Sequence, residues 1–146
     1  TETYRRINDE YPIGRTRLLG CVLSSIRTVC GGRATILTVS REDLARTGTT
    51  VEDTENLVQF GLSIQGVAAT VLLTDIEEGV KLSFRSRGSV SVQPLARALG
   101  GGGHAFAAGA TLRGATIDEA TRRMLPLLCA LFEGETQGPV AASAAV

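Results

Sequence analysis

The apolar positions of this chain change their period several times, and each change marks an element. Leu18, Val22, Ile26 and Val29 recur at three- and four-residue spacing, with Leu19 and Leu23 widening the stripe. That spacing predicts an amphipathic helix over 15–29, ended by Gly31 and Gly32. Thr35, Ile36, Leu37 and Val39 then predict a strand over 33–39. Ser40, followed by Glu42 and Asp43, reads as a helix start, with a short helix to Arg46 that stops at Gly48. A further helix is expected over 54–62. Gly66 opens a nearly continuous apolar run, Val67–Leu73, the pattern of a strand covered on both faces. A charged turn over 75–79, longer than a two-residue hairpin loop, leads to a second strand over 80–87.

Beyond it the pattern shortens. Ser91 is expected to cap a brief helix with Pro94 in its first turn, where a missing N–H costs little. Four glycines, Gly100–Gly103, and the only histidine, His104, follow, and then a strand over 107–112. Thr116-Ile-Asp-Glu119 is a capping box for a final helix whose stripe is Ile117, Ala120, Met124, Leu127, Leu128 and Leu131, with a kink expected at Pro126. Strand and helix alternate, so the fold class is α/β: a mixed β-sheet flanked by helices, the 67–73/80–87 hairpin arguing against a wholly parallel sheet. The domain is expected over 15–134, with 1–14 a linker from an upstream domain and 135–146 a disordered tail.

Composition narrows the functional classes. Fifteen basic and fifteen acidic residues cancel, so no bulk field draws the chain to nucleic acid and any phosphate contact must be local. No apolar run approaches the ~20 residues of a membrane span. Three cysteines (Cys21, Cys30, Cys129) show no metal-like spacing and cannot all pair, so they read as small buried apolar residues of a reducing, cytoplasmic protein. Glu42, Asp43, Glu52, Asp53 and Glu55 read as acidic first turns rather than metal ligands, since no histidine accompanies them. The chain opens on Thr1, and it is expected to be part of something longer.

The chemistry concentrates in 81–109. Alternation places Arg85 and Arg87 on one strand face. The glycines leave successive N–H groups uncovered, as an anion-binding nest requires. Two other readings stand beside this one. A single glycine suffices for a helix C-cap, and glycines also let two backbones approach closely without any ligand.

Ser83-Phe84-Arg85-Ser86, followed one helix later by Gly100-Gly-Gly-Gly-His104-Ala-Phe-Ala-Ala-Gly109, resembles the signature of the DHH-associated domain. This is the C-terminal half of the DHH-family phosphoesterases, and the form here resembles the oligoribonuclease and 3′-phosphoadenosine-5′-phosphate (pAp) phosphatase branch. The single-strand DNA exonucleases of recombination carry a similar run. Asp53-Thr54-Glu55-Asn56-Leu57-Val58 also looks like the family's segment in that place. The resemblance covers about residues 1–134. It implies a substrate-binding domain for short 5′-phosphorylated oligonucleotides, and for pAp, that is inert alone. Manganese would be held by an upstream DHH domain and no cofactor by this chain. The implied substrate contacts are Arg85, Ser86, Arg87, Gly101, Gly102, Gly103 and His104, with no catalytic or metal-binding residue among them. Phe106 stands where many oligoribonuclease-type members have Asn. It is expected in the core, with stacking on a base as the alternative. Expected partners are a short oligonucleotide or nucleotide phosphate, the upstream DHH domain and a possible homodimer copy, with no membrane. Two other classes stay open: a nucleic-acid-binding module like the C-terminal domain of alanyl-tRNA synthetases, and a dimerisation domain whose glycines serve packing.

Overall fold

A computed structural model describes residues 11–135. Six strands form one sheet in the order β1-β2-β3-β4-β6-β5: β1 (Arg27–Val29), β2 (Ala34–Val39), β3 (Ala69–Ile76), β4 (Gly79–Ser86), β5 (Gly102–Gly103) and β6 (Ala107–Arg113). Only β2 and β3 run parallel. Among the described residues four helices flank the sheet: α1 (Ile13–Ser24), α2 (Arg41–Thr47), α3 (Gln93–Ala98) and α4 (Ile117–Ala130).

Helices cover the two faces unequally. On one face, Ile36, Val71, Leu73, Val80, Leu82, Phe84, Ala110 and Leu112 form the main core with Leu95 of α3 and Met124 and Leu128 of α4. On the other, Leu37, Val39 and Leu72 pack with Leu18 and Val22 of α1, Leu44 of α2 and Val58. Beyond β3 this second layer reaches β4 only through the segment Val58–Ser63. Hence β3 is buried on both sides from Ala69 to Thr74, whereas β4 alternates: Val80, Leu82 and Phe84 are buried, and Lys81, Ser83 and Arg85 are not. Strand β6 alternates likewise, with Ala108, Ala110 and Leu112 inside. Half of the second face is therefore open along β4, β6 and β5.

Several sequence expectations are corrected. The helix predicted over 15–29 ends at Ser24, because the Ser25 hydroxyl donates to the Val22 carbonyl (2.6 Å) and accepts from the Thr38 N–H (2.9 Å), which turns the chain into β1. Leu23, expected in the buried stripe, is exposed. The helix expected over 54–62 is two 3₁₀ segments, Val51–Thr54 and Val58–Ser63, since Gly61 is drawn against Thr35 and Thr70: the Thr35 hydroxyl donates to the Gly61 carbonyl (2.9 Å) and lies 2.7 Å from that of Thr70. The β3–β4 turn is a two-residue loop, Glu77–Glu78, because pairing continues to Ile76 and Gly79. The N-cap of α3 is Val92, not Ser91, whose hydroxyl accepts only a 3.4 Å contact from the Gln93 N–H. Leu127 of α4 is exposed rather than in its stripe.

The cysteine reading is corrected too. Cys30 and Cys129 form a disulfide that ties the β1–β2 turn to α4 across 99 residues, and Cys21 stays free. An odd count excludes only the pairing of all three, and no spacing rule reveals a bond between residues so far apart. The tail expectation lies outside the described residues except at Glu135, which pairs with Arg33 (2.8 Å), and the linker expectation falls largely outside them, with α1 already begun at Ile13. No helix among the described residues is long and apolar enough to cross a membrane.

Candidate functional site on the open half of the sheet

The four glycines do different jobs. Gly100 has φ +86 and closes α3: its N–H donates to the Arg97 carbonyl (3.0 Å), while the Gly101 N–H donates to that of Ala96 (2.8 Å). The pair of bonds is a Schellman motif. At Gly101 a Cβ would lie 2.0 Å from the Gly109 carbonyl oxygen, and at Gly103 2.6 Å from the Ala108 Cα. Those two positions let β5 lie tightly against β6. At Gly102 a Cβ would meet nothing within 4 Å. The C-cap reading thus accounts for Gly100 and the close-approach reading for Gly101 and Gly103, while Gly102 needs neither a positive φ nor a missing methyl.

Register sets what shares that space. Gly102 is opposite Gly109, which is opposite Ser83. The next row pairs Thr70, Arg85 and Ala107. The His104 N–H donates to the Ala107 carbonyl (2.8 Å), so His104 continues the hairpin one step past β5. Arg85 and His104 therefore lie at the same end of the sheet, about 10 Å apart in backbone, two strand spacings of ~4.8 Å. Two bonds hold the hairpin to the start of α3: the Val92 N–H donates to the Ala105 carbonyl and the Gln93 amide to the Gly103 carbonyl, each at 2.7 Å.

The floor of this strip is nearly bare, and its rim is cationic. Lys81 and Arg113 lie on the same open registers as Arg85. Among the described residues none of Lys81, Arg85, Arg87 or Arg113 takes part in an ion pair. The Arg85 guanidinium bonds only to its neighbour's carbonyl, that of Phe84 (2.9 Å). Unpaired guanidiniums above a flat glycine and serine floor suit phosphate oxygens, which they can bind bidentately.

Not every expected residue joins this strip. Ser86 is buried on the opposite register, and its hydroxyl donates to the Val90 carbonyl (2.7 Å), holding the turn after β4. Arg87 lies past the strand end and lines an open groove of about 420 Å³ with Arg33, Ile64, Gly66 and Ser89. In that groove Arg33 is already engaged by Glu135, whose hydrogen bonds raise the arginine pKa against a smaller opposing effect of burial. Phe106, expected in the core, is 50% exposed at the hairpin tip, a correction that follows from the two-residue loop Ala105–Phe106 lifting it off the sheet. Lys81 and Arg113 were not singled out from sequence, and Ser83 entered only as part of the signature, with no role; the alternation Lys81-Leu82-Ser83-Phe84-Arg85 was the signal available.

The acidic residues serve the backbone. Asp43 accepts from the Ser40 N–H (3.1 Å) and Asp53 from the Thr50 N–H (2.9 Å), while Asp53 also faces Arg15 at 3.6 Å. No group of three or more His, Cys, Asp and Glu side chains gathers among the described residues as a metal ion would need.

Known proteins match most of the chain. A family model described as "DHHA1 domain" matches residues 24–133. The bifunctional oligoribonuclease and PAP phosphatase NrnA of Thermus thermophilus is 44% identical over 109 residues, which are 75% of this chain and 32% of that protein. Its Bacillus subtilis namesake is 30% identical over 118 residues, 81% of this chain and 36% of that protein. The chain thus spans about a third of these relatives' length. Among solved structures, an exopolyphosphatase-related protein from Bacteroides fragilis superposes with a TM-score of 0.80 at 29% identity, over 90% of this chain and 40% of that one.

Proposed function

The chain belongs to the DHHA1 domain family of DHH-type phosphoesterases, and from that premise we propose that it is the substrate-recognition part of a longer enzyme acting on short 5′-phosphorylated oligonucleotides and pAp. The observation that carries the reading is the open half-sheet. A bare floor of Ser83, Gly109 and Gly102 is bordered by Arg85 and His104, with no ion pair on the arginine. In this reading the Arg85 guanidinium and the His104 ring donate to phosphate oxygens while the Gly102 backbone allows the sugar-phosphate chain to approach. Gly101 and Gly103 hold β5 in place for that approach, and Arg87 meets more distal phosphates at the adjoining groove. Manganese would supply the hydrolytic chemistry, and the residues that would hold it would belong to an upstream DHH domain. We place the protein in the cytoplasm, where thiol-reducing systems would act on the Cys30–Cys129 pair.

The neutral net charge favours short substrates over long strands, since a long-strand binder gains most of its affinity from many phosphate contacts. In the full-length protein, Arg85→Ala and His104→Ala should each lower kcat/KM for a 5′-phosphorylated dinucleotide at least about ten-fold, the scale of one lost charge-assisted hydrogen bond, with unfolding temperature unchanged. Unaltered kinetics in both variants would remove the site.

A further inference from the structure

Two segments far apart in the sequence, 30–33 and 129–135, meet three times. Cys30 and Cys129 are bonded through their sulfurs, and the Arg33 guanidinium lies 5.2 Å from the centre of the Phe132 ring. That guanidinium also donates to both carboxylate oxygens of Glu135, at 2.8 and 2.9 Å. Each partner of the ion pair is more than a third exposed, where such pairs add little alone, so the covalent bond is what keeps the clasp closed. The backbone at Cys30 gives the sulfur a reason to be there. Cys30 has φ +56, the only positive value outside glycine among the described residues, and Gly31 and Gly32 follow at +65 and +84. Glycine adopts that conformation freely, whereas a β-carbon is crowded in it. A cysteine at the first of three such positions is accounted for by its bond to Cys129. Both sulfur-bearing residues are partly exposed, which leaves the bond open to attack by a thiol.

The clasp covers a cation of the groove that also contains Arg87, and Arg33 donates as well to the Gly66 carbonyl in that groove. A carboxylate on the Nε–Nη2 edge of a guanidinium takes the edge that a phosphate would use. With Glu135 in place, Arg87 is the one guanidinium of the groove without an ion pair among the described residues. Resting on the phosphate-site reading above, we propose that the Cys30–Cys129 bond is a redox latch on this groove. Oxidised, it holds Glu135 over Arg33 as an internal stand-in for phosphate. Reduced, it frees the end of α4 and opens Arg33, beside Arg87, to the distal phosphates of an oligonucleotide. The reductant is a low-molecular-weight thiol or a protein dithiol. Its thiolate attacks one sulfur of the pair, the Cys30–Cys129 bond breaks as a mixed disulfide forms, and a second thiolate resolves it. Two electrons and two protons end on Cys30 and Cys129 as thiols, and the reductant sulfurs end as a disulfide.

The test uses the full-length protein with manganese, oxidised or reduced with dithiothreitol and desalted, on a 5′-phosphorylated dinucleotide and tetranucleotide. Reduction should raise the ratio of kcat/KM on the tetranucleotide to that on the dinucleotide by about five-fold, through KM, the scale of one added hydrogen-bonded contact. Amide hydrogen exchange over 129–135 should become faster at the same time. Cys129→Ser should show the higher ratio and no redox response, and Glu135→Ala, which keeps the bond, should show it while oxidised. Faster exchange with an unchanged ratio would make the bond a structural brace and overturn the latch. So would exchange unmoved by reduction, a redox response that persists in Cys129→Ser, or an oxidised Glu135→Ala that behaves like the parent. In each of those cases Arg85→Ala and His104→Ala still losing activity would leave the phosphate site standing. If those two variants are silent, the site reading fails and the latch with it.

Discussion

Replacing Gly101 and Gly102 separately by alanine divides two adjacent, chemically identical residues by what surrounds them. At Gly101 the new methyl would sit 2.0 Å from the Gly109 carbonyl oxygen and 2.7 Å from the Ala110 Cα and Cβ. All but the last are backbone atoms of β6, a paired strand that cannot move aside without breaking its ladder with β4. Relieving the clash requires a shift of more than about 1 Å, since Cβ contacts under 3.0 Å essentially never occur. Overpacking of this kind costs about 1–3 kcal/mol, and the rigid neighbour argues for the upper end. For a domain of this size about 3 kcal/mol corresponds to a fall of roughly 10–15 °C in unfolding temperature. At Gly102 the methyl enters empty space and the backbone needs no positive φ. There the smaller entropy of the unfolded chain should leave stability unchanged or raise it by about 0.4–1 kcal/mol. Thermal unfolding followed by circular dichroism separates the two. A Gly101→Ala variant melting within about 2 °C of the parent, or a Gly102→Ala variant as destabilised as Gly101→Ala should be, would refute the assignment of close packing to one and open space to the other.

The Cys30–Cys129 bond closes a loop of 99 residues, so Cys129→Ser should cost about 2–5 kcal/mol and lower the urea midpoint by about 1–3 M. Thiol titration of the denatured but unreduced chain should give one free cysteine, Cys21, and three would show the pair to be open. At Asp43, burial pushes the carboxyl up, but hydrogen bonds from the Ser40 backbone and hydroxyl and from Arg46 outweigh it, and the net shift is downward. A carboxylate with a depressed folded-state pKa contributes stability that is present above its unfolded value, near 3.9, and disappears as pH falls through the folded one. Unfolding temperature should therefore drop below about pH 4, and Asp43→Asn should flatten that drop; an identical acid profile in the variant would contradict the assignment.

Much of the fold is written locally. The Ser40–Asp43 and Thr116–Glu119 boxes form as their spacing predicts, and the continuous apolar run of β3 correctly implies cover on both faces. The misreadings share one physical cause, which is long-range contact overriding a local pattern. Ile26 and Val29 fit the helical stripe of α1, yet Ser25 is recruited by the Thr38 N–H of β2 and the chain turns to pair with it. Leu57, Val58 and Gly61 resemble the end of a helix, yet Gly61 is bound to threonines of two strands that lie elsewhere in the sequence. The disulfide is invisible for the same reason. In the site, the Arg-Ser strand and the glycine–histidine run were visible as a motif, but the division of labour among the glycines was not. Whether a glycine is needed for its φ, for its missing methyl or for neither depends on β6 across the hairpin. Phe106 was assigned inward because a strand follows it, and only the hairpin register shows that it stands at the tip.

The uneven cover of the sheet has a consequence for how such a domain can change. Along β4 and β6 each inward residue is locked by the main core, while the outward Lys81, Ser83, Thr111 and Arg113 make no side-chain hydrogen bond or ion pair among the described residues, and only outward Gly79 and Gly109 are held by close backbone approach. The same seven or eight residues thus carry two independent texts in alternate letters, one spelling stability and the other whatever meets the open face. Lys81, Ser83, Thr111 and Arg113 can be rewritten singly or together without renegotiating Leu82, Phe84, Ala110 or Leu112. A library confined to those outward letters would sample new ligands on an intact scaffold, and related chains can diverge in what they accept while remaining superimposable.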